Sequence, residues 1–241
     1  MENKLGKLKD YFNDDELASN VWLTKYALKD KSGKVLEQTP DDMHNRIASE
    51  FARIEEKFGG DHALSKEQIY DLIKNFNYIV PQGSPMMGIG NNHVNVSLSN
   101  CVVVASPDDN ISSILDSGKS LANLFKRRCG VGLDISQLRP EGTPVNNSAG
   151  TTTGAWSFAD LYSYVCRMIG QNGRRGALMI SMDIRHPDIE KFVTMKHDLT
   201  KVTGANVSVK ISDDFMEAVE SNGSFTLRFP VNSENPKYTR E

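Results

Sequence analysis

Residues 100–133, NCVVVASPDDNISSILDSGKSLANLFKRRCGVGL, carry the pattern that decides the fold. A short β-branched run, Asn100 to Ala105, leads through a Pro-Asp-Asp turn into a stretch with Ile111, Ile114, Leu115, Leu121, Ala122 and Phe125 on one helical face. A second short run, Gly130 to Leu133, follows at once. Strand, helix and strand at this spacing form a βαβ unit, with two parallel, buried strands. The alternation continues through Ala177–Met182 (ALMISM), Asn206–Ile211 (NVSVKI) and Phe225–Phe229. Helices are expected near 109–127, 156–169, 187–196 and 212–221, which makes an α/β architecture of about five parallel strands. The tail NSENPKYTRE suggests no further element. The sheet is then either open with a frayed end, or completed by a second chain or a missing segment.

Upstream, residues 1–80 read as a helical region. Thr39-Pro40-Asp41-Asp42 is a helix start, with a capping hydroxyl, a proline in the first turn and acids at the positive end of the dipole. Met43, Ile47, Phe51 and Ile54 then form an amphipathic stripe. Ser65 and Gln68 make a capping box before Ile69, Leu72, Ile73 and Phe76. The segment around Val21, Trp22, Tyr26 and Leu28 adds another helix. Composition fits a folded chain of 241 residues: 39% hydrophobic, 24% charged, net charge −3. That balance excludes a dedicated basic nucleic-acid binder. No apolar run long enough for a membrane helix and no signal-peptide core occur, so a cytoplasmic location is expected. Cys101, Cys129 and Cys166 lie far apart, which argues against a disulfide framework or a structural zinc site.

Three loops have the composition of ligand sites. Gly88-Ile89-Gly90 lacks the context of a dinucleotide fingerprint, and no phosphate-binding GxxxxGK[ST] exists. The stretch 139–154, RPEGTPVNNSAGTTTG, is long for a compact α/β domain and rich in hydroxyls and amides. It suits a phosphorylated or sugar-bearing ligand, or is a solvated excursion. Gln171-Asn172-Gly173-Arg174-Arg175-Gly176 sets two guanidinium groups between glycines, an anion site or a basic turn at a helix end. Cys101 starts a strand, where a cysteine is either a small buried hydrophobe or a redox group.

The ordered motifs SPMMGIGN, SLSNCVVV, KRRCGVGLDISQLRPEGTPVNNSAGTTTG, QNGRRGALMISM, HPDIEKF and KVTGANVSVKISDDFM resemble the catalytic (large) subunit of ribonucleotide reductase, over residues 15 to 231. The resemblance is to the adenosylcobalamin-dependent class II or its class I relatives. It implies an N-terminal helical region, residues 1–80, followed over 81–241 by the first five-stranded half of a ten-stranded α/β barrel.

The resemblance also implies roles. Cys101 would be one of two cysteines that supply reducing equivalents and end as a disulfide. Ser84, Asn100 and Gly130 would line the substrate ribose and phosphate pocket. Asp109 would bind the deoxyribose of a dNTP or ATP effector, and Arg139 its phosphates at the start of the specificity loop 139–154. In the second loop, 170–176, Gln171 and Arg174 would face the effector and Arg175 the substrate. Partners would be ribonucleoside di- or triphosphates, a thioredoxin-type reductant, and adenosylcobalamin or a radical-generating metal subunit; neither DNA nor a membrane is expected. The family's radical cysteine lies in an NxCxE motif, and none occurs in these 241 residues. The expectation is therefore the N-terminal part of a split reductase or a fragment of one, inactive without a C-terminal chain that carries NxCxE. The alternative is a non-catalytic nucleotide-binding regulatory module. Helices near 109–127 and 156–169 often form the family's dimer interface, though here their apolar faces could equally pack on the sheet.

Overall fold

The computed structural model describes residues 2–169 and 176–240, which belong to two compact units, Met1–Asn100 and Cys101–Glu241. In the first unit, α1 (Glu2–Tyr11) and α2 (Glu16–Lys25) precede α3 (Pro40–Phe58), α4 (Lys66–Ile73) and the short α5 (Gly83–Gly88). Both capping signals are realised. The Asp42 carboxylate accepts the backbone N–H of Gln38 at 2.7 Å and of Thr39 at 3.3 Å. Ser65 and Gln68 exchange reciprocal bonds of 2.8 and 3.3 Å at the start of α4. The core gathers Leu8, Trp22, Ala27, Met43, Ile47, Ala48, Ile69 and Ile73. The α3 stripe is only half buried: Met43 and Ile47 are enclosed, while Phe51 and Ile54 are exposed. Helical periodicity marks a face, and the extent of that face under cover depends on how far the neighbouring elements reach.

The second unit holds the βαβ architecture. Strands β1 (Cys101–Val103), β2 (Gly130–Asp134), β3 (Leu178–Asp183) and β4 (Asn206–Lys210) form one parallel sheet in sequential order. They are joined by α6 (Ile111–Phe125), α7 (Ala155–Met168) and α8 (Ile189–Thr194). Asn110 starts α6, its side-chain oxygen accepting the Ser113 N–H at 2.9 Å. Alternation along the strands sends Val131, Leu133, Leu178, Ile180 and Met182 to one face, where Leu121, Phe125, Ala159, Tyr162 and Phe192 cover them.

The fifth expected strand does not join this sheet. After α9 (Asp213–Glu220), β5 (Leu227–Phe229) pairs antiparallel with β6 (Tyr238–Arg240), an element not foreseen in the tail. Pro230 has no N–H to continue a ladder and opens the turn that brings the chain back. Ser233 N–H donates to Pro230 O at 3.1 Å, and Lys237 N–H to Phe229 O at 2.8 Å. An apolar run announces a strand but not the direction of its partner. Among the described residues, no helix is long and apolar enough to cross a membrane.

Candidate functional site

Cys101 is the first residue of β1 and is exposed. It lies opposite Gly130 in the β1–β2 register, with Val103 opposite Gly132. Val102, between them, packs on the core. The register continues this second face across the sheet: Gly132 to Met179, Asp134 to Ser181, then Met179 to Asn206 and Ser181 to Ser208. Cys101 therefore shares a glycine-rich, polar face with Asp134, Ser181 and Lys210, whose residue types and spacing suggested no role. On that face the Asp134 carboxylate accepts the Ser181 hydroxyl at 2.7 Å and meets the Lys210 ammonium at 3.0 Å. Burial opposes ionisation of Asp134, but hydrogen bonds from Ser181, Lys210 and Ser136 outweigh it and hold the carboxyl below its ordinary range. Asp134 lies four residue steps past the level of Gly130, so this charge sits about 13 Å along the strand from Cys101. Cys129 and Cys166 are 2% and 1% exposed, and burial pushes the Cys166 thiol up.

In the first unit, Ser84 and Asn100 meet. The Asn100 amide oxygen accepts the Ser84 backbone N–H at 3.2 Å and its hydroxyl at 3.3 Å. Ser84 lies in α5, whose far end is held by Arg46: its guanidinium donates to Met86 O at 2.7 Å and to Ile89 O. The same guanidinium pairs with the buried Glu37 at 2.7 Å, and Glu37 accepts the Leu28 N–H at 2.7 Å. Arg46 thus ties α3 to α5 and fixes where Ser84 is presented.

Asp109 and Arg139, 30 residues apart, are brought together in the second unit. Arg139 Nε donates to Asp109 Oδ2 at 2.7 Å, its backbone N–H to Oδ1 at 3.1 Å, and its terminal nitrogen to Asp109 O at 3.1 Å. Each side chain is 32% exposed, so the pair is reachable from solvent. The loop that Arg139 begins is not irregular. Gly142 N–H donates to Thr152 O, Thr152 N–H to Thr143 O and Val145 N–H to Gly150 O, at 3.0, 3.0 and 2.9 Å, folding it into a narrow hairpin. Without alternating apolar residues such a hairpin has no periodic signature. Gln171, Arg174 and Arg175 lie outside the described residues.

A third group lies in the HPDIEKF motif, to which neither the residue types nor the resemblance assigns a role. Asp188 accepts the backbone N–H groups of Glu141 and Ala155, at 3.0 and 2.9 Å. His186, fully buried, bridges Asp188 N–H and Leu138 O.

Residues 99–240 match the family model for the ribonucleotide reductase barrel domain, and residues 12–93 that for the ribonucleotide reductase all-alpha domain. A Mycobacterium tuberculosis (strain ATCC 25618 / H37Rv) protein named vitamin B12-dependent ribonucleoside-diphosphate reductase is 32% identical over 216 residues, covering 88% of this chain and 30% of that protein. A Thermoplasma acidophilum protein of the same name is 26% identical over 288 residues, covering 95% of this chain and 37% of the relative. A Neurospora crassa ribonucleoside-diphosphate reductase large chain is 31% identical over 139 residues, covering 55% of this chain and 15% of the relative. The chain thus spans about a third of the length of the first two.

Proposed function

The chain belongs to the ribonucleotide reductase large-subunit family, and from that premise we propose that it supplies one redox cysteine, part of the substrate pocket and an effector site to the reduction of ribonucleotides to 2′-deoxyribonucleotides. The observation that carries this is the placement of Cys101: exposed, at the start of β1, opposite Gly130 in the register with β2 and on the face of the sheet that α6, α7 and α8 leave uncovered. A thiol there can protonate the departing 2′-hydroxyl, which leaves as water. Together with a second cysteine it then delivers two electrons and becomes a disulfide, which a thioredoxin-type dithiol re-reduces. Ser84 and Asn100, already joined by hydrogen bonds, offer hydroxyl and amide groups to a substrate's ribose and phosphates. A segment carrying NxCxE, absent from these 241 residues, would hold the cysteine that bears the thiyl radical.

Adenosylcobalamin would supply that radical in the relatives named vitamin B12-dependent. None of the residues assigned a role in this chain is assigned to hold it; the face around Cys101 bears the Asp134, Ser181 and Lys210 network. The chemistry assigned to this chain therefore runs through Cys101. Asp109 and Arg139 form the proposed dNTP or ATP site, with Gln171 and Arg174 contributing and Arg175 reaching the substrate. A second copy is the proposed occupant of the apolar groove between α6 and α7. That groove, about 280 Å³, is lined by Leu115, Ala122, Leu161, Val165 and Met168.

The test mixes this chain with a complementary polypeptide carrying NxCxE, and measures deoxynucleotide formation from ribonucleoside di- and triphosphates with a dithiol protein as reductant. Turnover should require both polypeptides, and Cys101→Ser should abolish it. Full activity of the Cys101→Ser mixture would overturn the proposal. The meeting of Asp109 and Arg139 inside one unit also favours a second reading, a nucleotide-binding regulatory module. Calorimetric binding of dATP, dTTP or dGTP without partner-dependent turnover would select it.

A further inference from the structure

We propose that His186-Pro187-Asp188 is a clamp that closes the base of the 139–154 hairpin and thereby positions Arg139 for its ligand. The second half of this statement rests on the effector site proposed above. The first half stands on hydrogen bonds alone.

Asp188 is 5% exposed. Its carboxylate accepts the Glu141 N–H with both oxygens, at 3.0 and 3.1 Å, and the Ala155 N–H with Oδ2 at 2.9 Å. These two donors are the two feet of the hairpin, 14 residues apart in sequence, so one side chain joins both ends. Holding the feet together removes loop-closure freedom that a ligand would otherwise have to remove on binding. Asp188 is itself held. Its backbone N–H donates to His186 Nδ1 at 3.0 Å, which leaves the ring proton on Nε2, donating to Leu138 O at 2.8 Å. Leu138 immediately precedes Arg139, so the same motif fixes the hairpin from the side that carries the guanidinium. The Phe229 ring meets the His186 ring edge-to-face at 5.6 Å and closes the far side.

Gly154 completes the device. Its φ is +90°, and a Cβ built there would lie 2.5 Å from Asp188 Oδ2 and 2.8 Å from Glu141 Cβ. A side chain at 154 would have to push the clamp apart, in a backbone region that disfavours one in any case. Above the clamp, the Glu141 carboxylate accepts the Trp156 indole N–H at 3.0 Å and pairs with Lys191 of α8. The hydrogen bond from Lys191, then that from Trp156, holds the Glu141 carboxyl below its ordinary range. The hairpin's feet are thus bound to α7 and α8 by three side chains.

The experiment compares the 241-residue chain with Asp188→Asn and Gly154→Ala, which open the clamp from opposite sides. Asparagine keeps one acceptor but turns an N–H donor toward the second foot. Amide hydrogen exchange is read over residues 141–155, with β2 and β3 as internal reference, beside calorimetric titration with dATP, dTTP and dGTP. Exchange at the feet should rise about tenfold in both variants with the strands unchanged, and nucleotide affinity should fall about tenfold. Unchanged exchange at 141 and 155 in both variants overturns the clamp. Faster exchange with undiminished affinity overturns its role in positioning Arg139. If the unsubstituted chain binds none of the three nucleotides while exchange still rises in the variants, the clamp stands and the effector reading falls.

Discussion

Single residues in this chain do most through charges and rings that burial isolates. Arg46 and Glu37 form an ion pair whose side chains are 11% and 6% exposed. Removing one partner leaves the other charge buried without compensation, a loss on the order of 3–5 kcal/mol. Arg46→Met should therefore lower the denaturation midpoint of the chain sharply, while the double variant with Glu37→Leu recovers much of the loss; equal stability of the two would refute this. His44 is fully buried against Phe76, ring centroids 4.7 Å apart, with neither ring nitrogen hydrogen-bonded. Burial lowers its pKa, against a smaller opposing pull from Asp41. The folded state thus binds the proton less readily than the unfolded one. Stability from this group is complete above the unfolded value near 6.5 and is lost as pH falls toward the depressed folded pKa, at no more than about 1.4 kcal/mol per pH unit. His44→Leu should flatten the dependence of stability on pH below 6.5, read as the difference between variant and parent in urea titrations at pH 5.0, 6.0 and 7.5.

Helices and strands show which faces are used twice. Helix α6 buries Ile114, Leu121 and Phe125 on the sheet yet leaves Leu115 56% exposed, and α7 leaves Met168 63% exposed beside it. The expectation that these helices pack on the sheet and the expectation of an interface are therefore compatible, because different stripes serve each. Leu121→Ala should cost about 2–5 kcal/mol, as buried leucines do when a cavity remains. Leu115→Lys should leave stability unchanged and abolish any dimer detected by sedimentation, if a second copy occupies the groove. Persistence of a dimer in that variant would remove α6 from the interface. The helix starts at Thr39 and Ser65 and the strands β1 to β4 were legible because capping and alternation are local signals. The β5–β6 pair was not, since its partner strand is three exposed residues without an apolar pattern. The 139–154 hairpin was visible only as a long polar loop, because its order comes from backbone hydrogen bonds within it and from Asp188, 34 residues past its end at Gly154.

For the whole molecule, the consequence is a sheet with two unlike faces. One is sealed by α6, α7 and α8; the other bears Cys101, Val103 at 85% exposure and the Asp134 network. Alkylation by N-ethylmaleimide should modify Cys101 well before Cys129 or Cys166, and addition of a polypeptide carrying NxCxE should slow it. Unaltered modification in an active mixture would show that the partner leaves this face uncovered. The sequence by itself determined the βαβ order, the helical region and the family, because propensity, periodicity and motif order are written within short windows. It placed Ser84 with Asn100 and Asp109 with Arg139 only through resemblance. Tertiary structure alone decided that Asp109 and Arg139 pair directly, that Asp134, Ser181 and Lys210 share the face of Cys101, and that Asp188 binds both feet of a hairpin. Each of these joins residues distant along the chain through backbone or carboxylate hydrogen bonds, and such bonds leave no periodic trace in a sequence.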